Sequence, residues 1–146
     1  MTPTGIGEVD PDTAWAALGA DPKAILIDVR TRAEWSFVGL PDLSKTGASP
    51  VLIEWQSFPA MDVNPGFATQ VLAAISETGA EAVYFLCRSG GRSMRAAQAT
   101  AEAAGAADVS VTCFNIAEGF EGDLDQAGRR GAMNGWKARK LPWRQS

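Results

Sequence analysis

A cysteine, two glycines and two arginines fall within six consecutive residues of this chain. Residues 87–93 read Cys-Arg-Ser-Gly-Gly-Arg-Ser, directly after the apolar run 82–86 and before an alanine-rich stretch of helical character, 94–104. A loop between a strand and a helix directs backbone N–H groups and the helix N-terminus at the cysteine sulfur, which favours the thiolate. A thiolate that faces several donors is suited to attack or carry an anionic group.

Cys87 is therefore the candidate nucleophile of the chain. Gly90 and Gly91 permit positive φ, so the loop amides are expected to wrap tightly around the sulfur. The alternative for a cysteine that ends an apolar strand is a small buried hydrophobe, but glycines and arginines at a helix entry favour reactivity. Cys113 lies inside an apolar strand pattern without such neighbours, and we predict that it belongs to the core.

The polar side chains of the loop have separate expected roles. We expect Arg92 to donate hydrogen bonds to loop carbonyls and to add positive potential. Arg88, at the rim, is the better candidate to meet an anionic substrate. Ser89 and Ser93 can donate hydrogen bonds to the sulfur, and we expect Ser93 to cap the following helix.

Histidine is absent from the 146 residues, which argues against a Cys-His protease or a zinc hydrolase. We expect no metal and no cofactor, because the chemistry can rest on a thiolate stabilised by dipoles and arginines. Two cysteines do not make a disulfide framework and are expected to stay reduced. Without a recognisable secretory signal or an apolar stretch of about 20 residues, a cytoplasmic protein without a membrane partner is expected.

Charge is unevenly distributed along the chain. Residues 129–146 hold six basic and no acidic residues, whereas the preceding 128 residues hold seven basic and 17 acidic ones. A nucleic-acid-binding arm is one interpretation of such a tail. Interspersed apolar residues favour the other, in which Trp136 and Trp143 help the tail to dock on its own acidic body. We therefore predict a domain over 1–128, a packed tail over 129–146 and no nucleic-acid partner.

Strand-like and helical segments alternate along the chain. The predicted strands are 6–9, 24–29, 51–53, 82–86 and 109–116. The predicted helices are a capped segment from 11 that ends at Gly19, 65–78 closed by Gly79, and 92–104 closed by Gly105, with a loop over 39–50. Such alternation predicts an α/β fold with a mostly parallel sheet of about five strands and helices on both faces. The site is then expected beyond the carboxyl ends of the strands, where Cys87 lies.

Three segments together resemble the rhodanese-like family of sulfurtransferases. The loop over 87–93 matches the Cys-x-x-Gly-x-Arg-Ser active loop of that family at every fixed position. Ile-Asp-Val-Arg over 27–30, followed by Glu-Trp at 34–35, looks like its first motif, and Gly-Phe-Glu-Gly over 119–122 looks like its closing motif. The Gly-His-Ile usual in the family is Gly-Leu-Pro over 39–41 here, and segment 40–66 is longer than a minimal member needs.

The resemblance implies a rhodanese-type sulfurtransferase that carries sulfur as a persulfide on Cys87. The donor is thiosulfate or a similar small anionic sulfur compound, and the acceptor is a thiol, a protein or cyanide. A non-catalytic persulfide carrier or partner-binding module is the alternative, followed by a phosphatase or arsenate reductase. Phosphatases that resemble this fold use a loop one residue longer than the six residues here, which favours sulfur over phosphate.

Asp28, Arg30 and Glu34 are predicted to support the site rather than to react. A carboxylate at a strand end commonly accepts backbone N–H bonds and so holds a neighbouring loop, which is the role we expect for Asp28. Arg30 and Glu34 are four residues apart, so we expect them to pair.

Overall fold

Five parallel strands form the central sheet of the protein, which a computed structural model describes over residues 6–145. Across the sheet the order is β1 (Gly7–Val9), β8 (Thr112–Ile116), β7 (Ala82–Leu86), β2 (Ala24–Asp28) and β4 (Val51–Leu52). Every neighbouring pair is parallel. The predicted α/β fold with a mostly parallel sheet of five strands is thereby confirmed.

Helices and short antiparallel pairs surround the sheet. The helices are α1 (Pro11–Ala20), α2 (Arg32–Phe37), α3 (Phe67–Thr78), α4 (Gly91–Ala106) and α5 (Gly135–Ala138). Two small antiparallel pairs are formed by β3 (Leu40–Pro41) with β9 (Trp143–Arg144), and by β5 (Gln56–Ser57) with β6 (Asp62–Val63). A 3₁₀ turn covers Ser44–Thr46.

Each face of the sheet carries its own hydrophobic cluster. Helices α3 and α4 cover one face, where Phe67 and Val71 pack with Val83 and Phe85 of β7. Helices α1 and α5 cover the other face, where Trp136 packs among the buried side chains. Because both faces are covered, β2 and β7 consist almost wholly of apolar residues.

Local capping explains where several helices begin and end. The Asp10 carboxylate accepts a 2.8 Å hydrogen bond from the Thr13 N–H at the start of α1. Thr31 and Glu34 form a reciprocal capping box at the start of α2. Helix α3 ends at Gly79, which adopts a left-handed conformation with φ of 70°.

Several predicted boundaries were wrong. Helix α4 continues through Gly105 to Ala106, since that glycine does not adopt a left-handed conformation there. The last predicted strand begins at Thr112 rather than at 109. Its pairing with β7 begins where Ala82 lies opposite Thr112, and its pairing with β1 begins at Phe114. The predicted loop over 39–50 contains β3, whose partner β9 lies more than 100 residues later and gives no local signal.

Part of the segment after residue 128 contacts the rest of the protein. Trp136 is fully buried and its indole N–H donates to the Pro142 carbonyl, whereas Trp143 is 39% exposed. Arg139 contacts Glu118 at 2.6 Å and Asp12 at 2.8 Å. The division of the chain at residue 128 stays a prediction. Over the described residues 6–145, no helix is both long and apolar enough to cross a bilayer.

Candidate active site

Cys87 lies at the carboxyl end of β7, one residue beyond the strand, and is only 1% exposed. The Gly90 N–H donates to its Sγ at 3.1 Å. Gly90 has φ of 113°, a conformation that side chains disfavour, and this turn directs its N–H at the sulfur. Gly91 has no positive φ and is the first residue of α4, so the helix N-terminus follows the sulfur at once. Both the N–H and the helix dipole favour negative charge on the sulfur.

Ser93 is buried in the first turn of α4, and its Oγ lies 3.2 Å from Cys87 Sγ. The expectation that it caps the helix was wrong, because the helix begins two residues earlier and Gly90 occupies the N-cap position without a side-chain bond. Ser89 is half-buried in the loop. In the part of the chain that the structure describes, the Gly90 N–H donates to the sulfur and the Ser93 hydroxyl lies within hydrogen-bond distance of it, which is fewer contacts than the ring of amides we predicted.

A polar chain connects the sulfur to the edge strand, and sequence reasoning missed it. Ser93 Oγ lies 2.5 Å from Asn115 Oδ1, and Asn115 Nδ2 donates to Glu8 at 2.8 Å. The bond to Glu8 orients the amide, so Asn115 presents its oxygen to the Ser93 hydroxyl. An asparagine between the apolar residues Phe114 and Ile116 of strand β8 is the signal that could have identified Asn115.

Arg92 pairs with Glu34 of α2 rather than with loop carbonyls, which corrects our prediction. Two hydrogen bonds of 2.7 and 2.9 Å join the guanidinium to the carboxylate. A bidentate charged pair is stronger than bonds to neutral carbonyls. Burial acts to raise the pKa of Glu34, but the bonds to Arg92 and Thr31 outweigh it and hold this pKa at about 2.

Asp28 and Arg30 form a buried pair behind the loop, and the predicted contact between Arg30 and Glu34 was wrong. Both side chains are fully buried, and Arg30 Nη2 lies 2.6 Å from the Asp28 carboxylate. The guanidinium also donates to the Gly39 carbonyl at 2.8 Å and lies 4.3 Å from the Phe120 ring centroid. Asp28 accepts the backbone N–H of Arg30 as well. Glu34 pairs with Arg92 instead.

The carbonyls of the loop are held by the turn over 118–122. The Phe120 N–H donates to the Cys87 carbonyl at 2.8 Å, and the N–H groups of Glu121 and Gly122 donate to the Arg88 carbonyl. Gly119 has φ of 68°, and a Cβ at this position would lie 2.5 Å from the Arg88 backbone. Only glycine fits there, which gives the Gly-Phe-Glu-Gly segment a physical reason.

An open groove of about 590 Å³ lies beside the loop. Arg88 and Arg92 line it on the loop side. Its apolar wall is formed by α2 and the segment between β5 and β6, and consists chiefly of Phe37, Phe58, Pro59 and Met61. Glu34, Glu121 and Arg130 are the other charged residues of the lining. The groove therefore joins apolar surface to the arginines of the Cys87 loop.

The second cysteine lies in a different environment. Cys113 is 2% exposed in the core, and burial raises the pKa of its thiol to about 11. In the described residues 6–145, histidine, cysteine and carboxylate side chains do not come together in groups of three that could hold a metal. Of the two cysteines, Cys87 is the one whose sulfur has hydrogen-bonding groups around it in the described part of the chain.

Comparison with known proteins identifies a family and several relatives. Residues 10–124 match the model of the rhodanese-like domain. A Rickettsia prowazekii protein, called uncharacterized protein RP600, is 35% identical over 130 residues, which cover 89% of this chain and 90% of that protein. A Rickettsia conorii protein, uncharacterized protein RC0915, is 33% identical over the same shares.

Solved structures are similar over nearly the whole chain. The crystal structure of Rv0390 from M. tuberculosis superposes with a TM-score of 0.79 at 44% identity, covering 96% of this chain and 98% of that one. A polysulfide-sulfur transferase homodimer from Wolinella succinogenes has a TM-score of 0.55 at 19% identity, covering 97% and 80%. The similarity to the Wolinella succinogenes protein concerns the fold alone.

Proposed function

The chain belongs to the rhodanese-like domain family, and we propose that it is a sulfurtransferase that carries sulfane sulfur as a persulfide on Cys87. The observation that carries the proposal is the Gly90 N–H, which donates to Sγ at 3.1 Å beside the N-terminus of α4. The N–H and the helix N-terminus stabilise an anionic sulfur without a proton-transferring side chain. The structural neighbour from Wolinella succinogenes is a polysulfide-sulfur transferase, which agrees with this chemistry.

The proposed reaction has two steps. The Cys87 thiolate attacks the outer sulfur of thiosulfate, the S–S bond breaks, and sulfite leaves with the electron pair. An acceptor, cyanide in an assay or a thiol in the cell, then attacks the outer sulfur of the persulfide and restores the thiolate. Because a covalent intermediate separates donor and acceptor, ping-pong kinetics are expected.

Intact mass spectrometry after incubation with thiosulfate tests the proposal. Wild type and Cys113→Ser should gain the mass of one sulfur atom and transfer it to cyanide, whereas Cys87→Ser should do neither. Sulfur transfer by Cys87→Ser at the wild-type rate would contradict the assignment. A persulfide that forms but resists every small acceptor would instead favour a carrier that serves one partner protein.

A further inference from the structure

The groove beside the Cys87 loop has a lining that small inorganic ions do not require. We propose that it binds an organic thiol with an apolar group and a carboxylate, which serves as acceptor or, as its persulfide, as donor. The inference rests on the sulfur transfer proposed above and names the substrate class of that site.

The size of the groove is the first observation. Its volume of about 590 Å³ lies within the range of roughly 300–1,000 Å³ that is common for small-molecule sites. Thiosulfate and cyanide would fill only a small part of it. Because Arg88 and Arg92 belong to both the Cys87 loop and the groove lining, a ligand in the groove lies next to the loop.

The apolar wall is the second observation. Phe37 is 81% exposed and Phe58 is 65% exposed, although both are large aromatic side chains. They lie on separate elements, α2 and the segment that connects β5 to β6, yet both line the same groove, as does Met61. Aromatic side chains that converge from two elements beside a reactive loop provide a surface for an apolar group.

Charge is the third observation. Glu34 and Arg92 neutralise each other in their ion pair, which leaves Arg88, Arg130 and Glu121. In the described residues 6–145, Arg88 and Arg130 form no ion pair. The lining is thus net positive in a protein whose overall charge is −4. A local positive potential on an acidic protein favours an anionic ligand.

One ligand chemistry satisfies all three observations. A thiolate acceptor R–S⁻ attacks the outer sulfur of Cys87–S–S⁻, the bond between the two persulfide sulfurs breaks, and the electron pair returns to Cys87. The products are R–S–S⁻ and the Cys87 thiolate. Donation from R–S–S⁻ is the reverse of this step, so one groove serves both directions and no external oxidant or reductant is needed.

Three acceptors with the same cysteine thiol separate the contribution of the apolar group from that of the carboxylate. The protein is loaded with thiosulfate and freed of excess donor, and the loss of the added sulfur is followed by mass spectrometry. N-phenylacetylcysteine should discharge the persulfide about fivefold to tenfold faster than N-acetylcysteine at low concentration, because its ring adds buried apolar area. The carboxamide of N-phenylacetylcysteine should react about twofold to fivefold more slowly than the carboxylate.

Matched variants assign these preferences to the groove. Phe58→Ala should reduce the preference for the phenylacetyl group at least about threefold, while Met133→Ala, which removes an exposed side chain outside the groove, should leave it unchanged. Arg130→Gln should reduce the preference for the carboxylate, and Arg129→Gln, at an exposed neighbouring position outside the groove, should not. Equal discharge rates with all three acceptors would overturn the inference.

A binding measurement separates this inference from the proposed function. S-methyl-N-phenylacetylcysteine cannot accept sulfur, and its affinity for the unloaded protein can be measured by calorimetry. If no persulfide forms with any donor, the proposed function fails. Binding that is weakened by Phe58→Ala but not by Met133→Ala would then still support the groove, and absence of binding would overturn it.

Discussion

Replacing Glu34 with glutamine removes a charge that joins α2 to the first turn of α4 while keeping the size of the side chain. Glu34 is only 19% exposed, and its partner Arg92 is 15% exposed. Burial opposes ionisation, but the hydrogen bonds and charge of Arg92, together with Thr31, hold the pKa of Glu34 at about 2 instead of the ordinary 4.5. The carboxylate is therefore more strongly ionised in the folded than in the unfolded protein.

The pKa difference sets the size of the effect. A lowering from 4.5 to about 2 corresponds to about 3 kcal/mol of stability, since one pKa unit is worth about 1.4 kcal/mol. This stability is fully present above the unfolded pKa and is lost as the pH falls through the folded pKa. Glu34→Gln should therefore destabilise by up to about 3 kcal/mol at pH 7, and by about half of that at pH 3.

Urea unfolding followed by tryptophan fluorescence at pH 7, 5 and 3 measures this difference. Glu81→Gln is the matched control, because its 3.3 Å pair with Lys23 has both side chains more than half exposed. An exposed pair contributes about 0–1 kcal/mol. The same free-energy difference for Glu34→Gln at pH 7 and pH 3 would refute the reasoning, and so would an effect at pH 7 no larger than that of the control.

Three further changes test other parts of the structure. At pH 7, iodoacetamide should modify Cys87→Ser hardly at all, since burial raises the pKa of Cys113 to about 11; rapid labelling would contradict this. One glycine inserted between Gly90 and Gly91 should slow sulfur transfer from thiosulfate at least about tenfold, because the N–H that lies 3.1 Å from the sulfur is displaced. Unchanged kinetics would show that loop size does not matter. Trp136→Ala should lower the free energy of unfolding by about 3–5 kcal/mol, and Trp136→Phe by less; a loss below 1 kcal/mol, measured by denaturant titration, would refute its role in the core.

Elements with a strong local pattern were predictable. The run over 82–86 coincides with β7, because a strand buried on both faces must be apolar throughout. The strand order depends on pairing between distant segments. The alternation of strands and helices predicted the fold class but not this order. The pair β3 and β9 was missed because each strand has two residues and the partners are far apart in sequence.

The position of the candidate site followed from the chain, but its contacts did not. A cysteine after a strand, followed by glycines and a helix, places the sulfur at the carboxyl edge of the sheet whatever the details. Which arginine pairs with Glu34 depends on where α2 lies relative to α4. The spacing in the sequence favoured Arg30, four residues away, whereas the structure brings Arg92 to it. Asn115 and Glu8 were missed for the same reason, since they approach the loop from two other strands.

The turn that holds the loop carbonyls is itself bound to the C-terminal segment. The backbone N–H of Trp136 donates to the Gly119 carbonyl at 2.8 Å, and the backbone N–H of Lys137 donates to the Phe120 carbonyl at 3.1 Å. Phe120 in turn holds the carbonyl of Cys87, so two backbone bonds in series separate the reactive residue from α5. A cut, a fusion or a bound protein near residue 136 would thus disturb the turn that holds the backbone of Cys87, about 50 residues earlier in the chain. Helix α5 lies beyond residue 124, where the family match ends. Two relatives with identical motifs can therefore differ in the reactivity of the cysteine, which is the property inferred from those motifs.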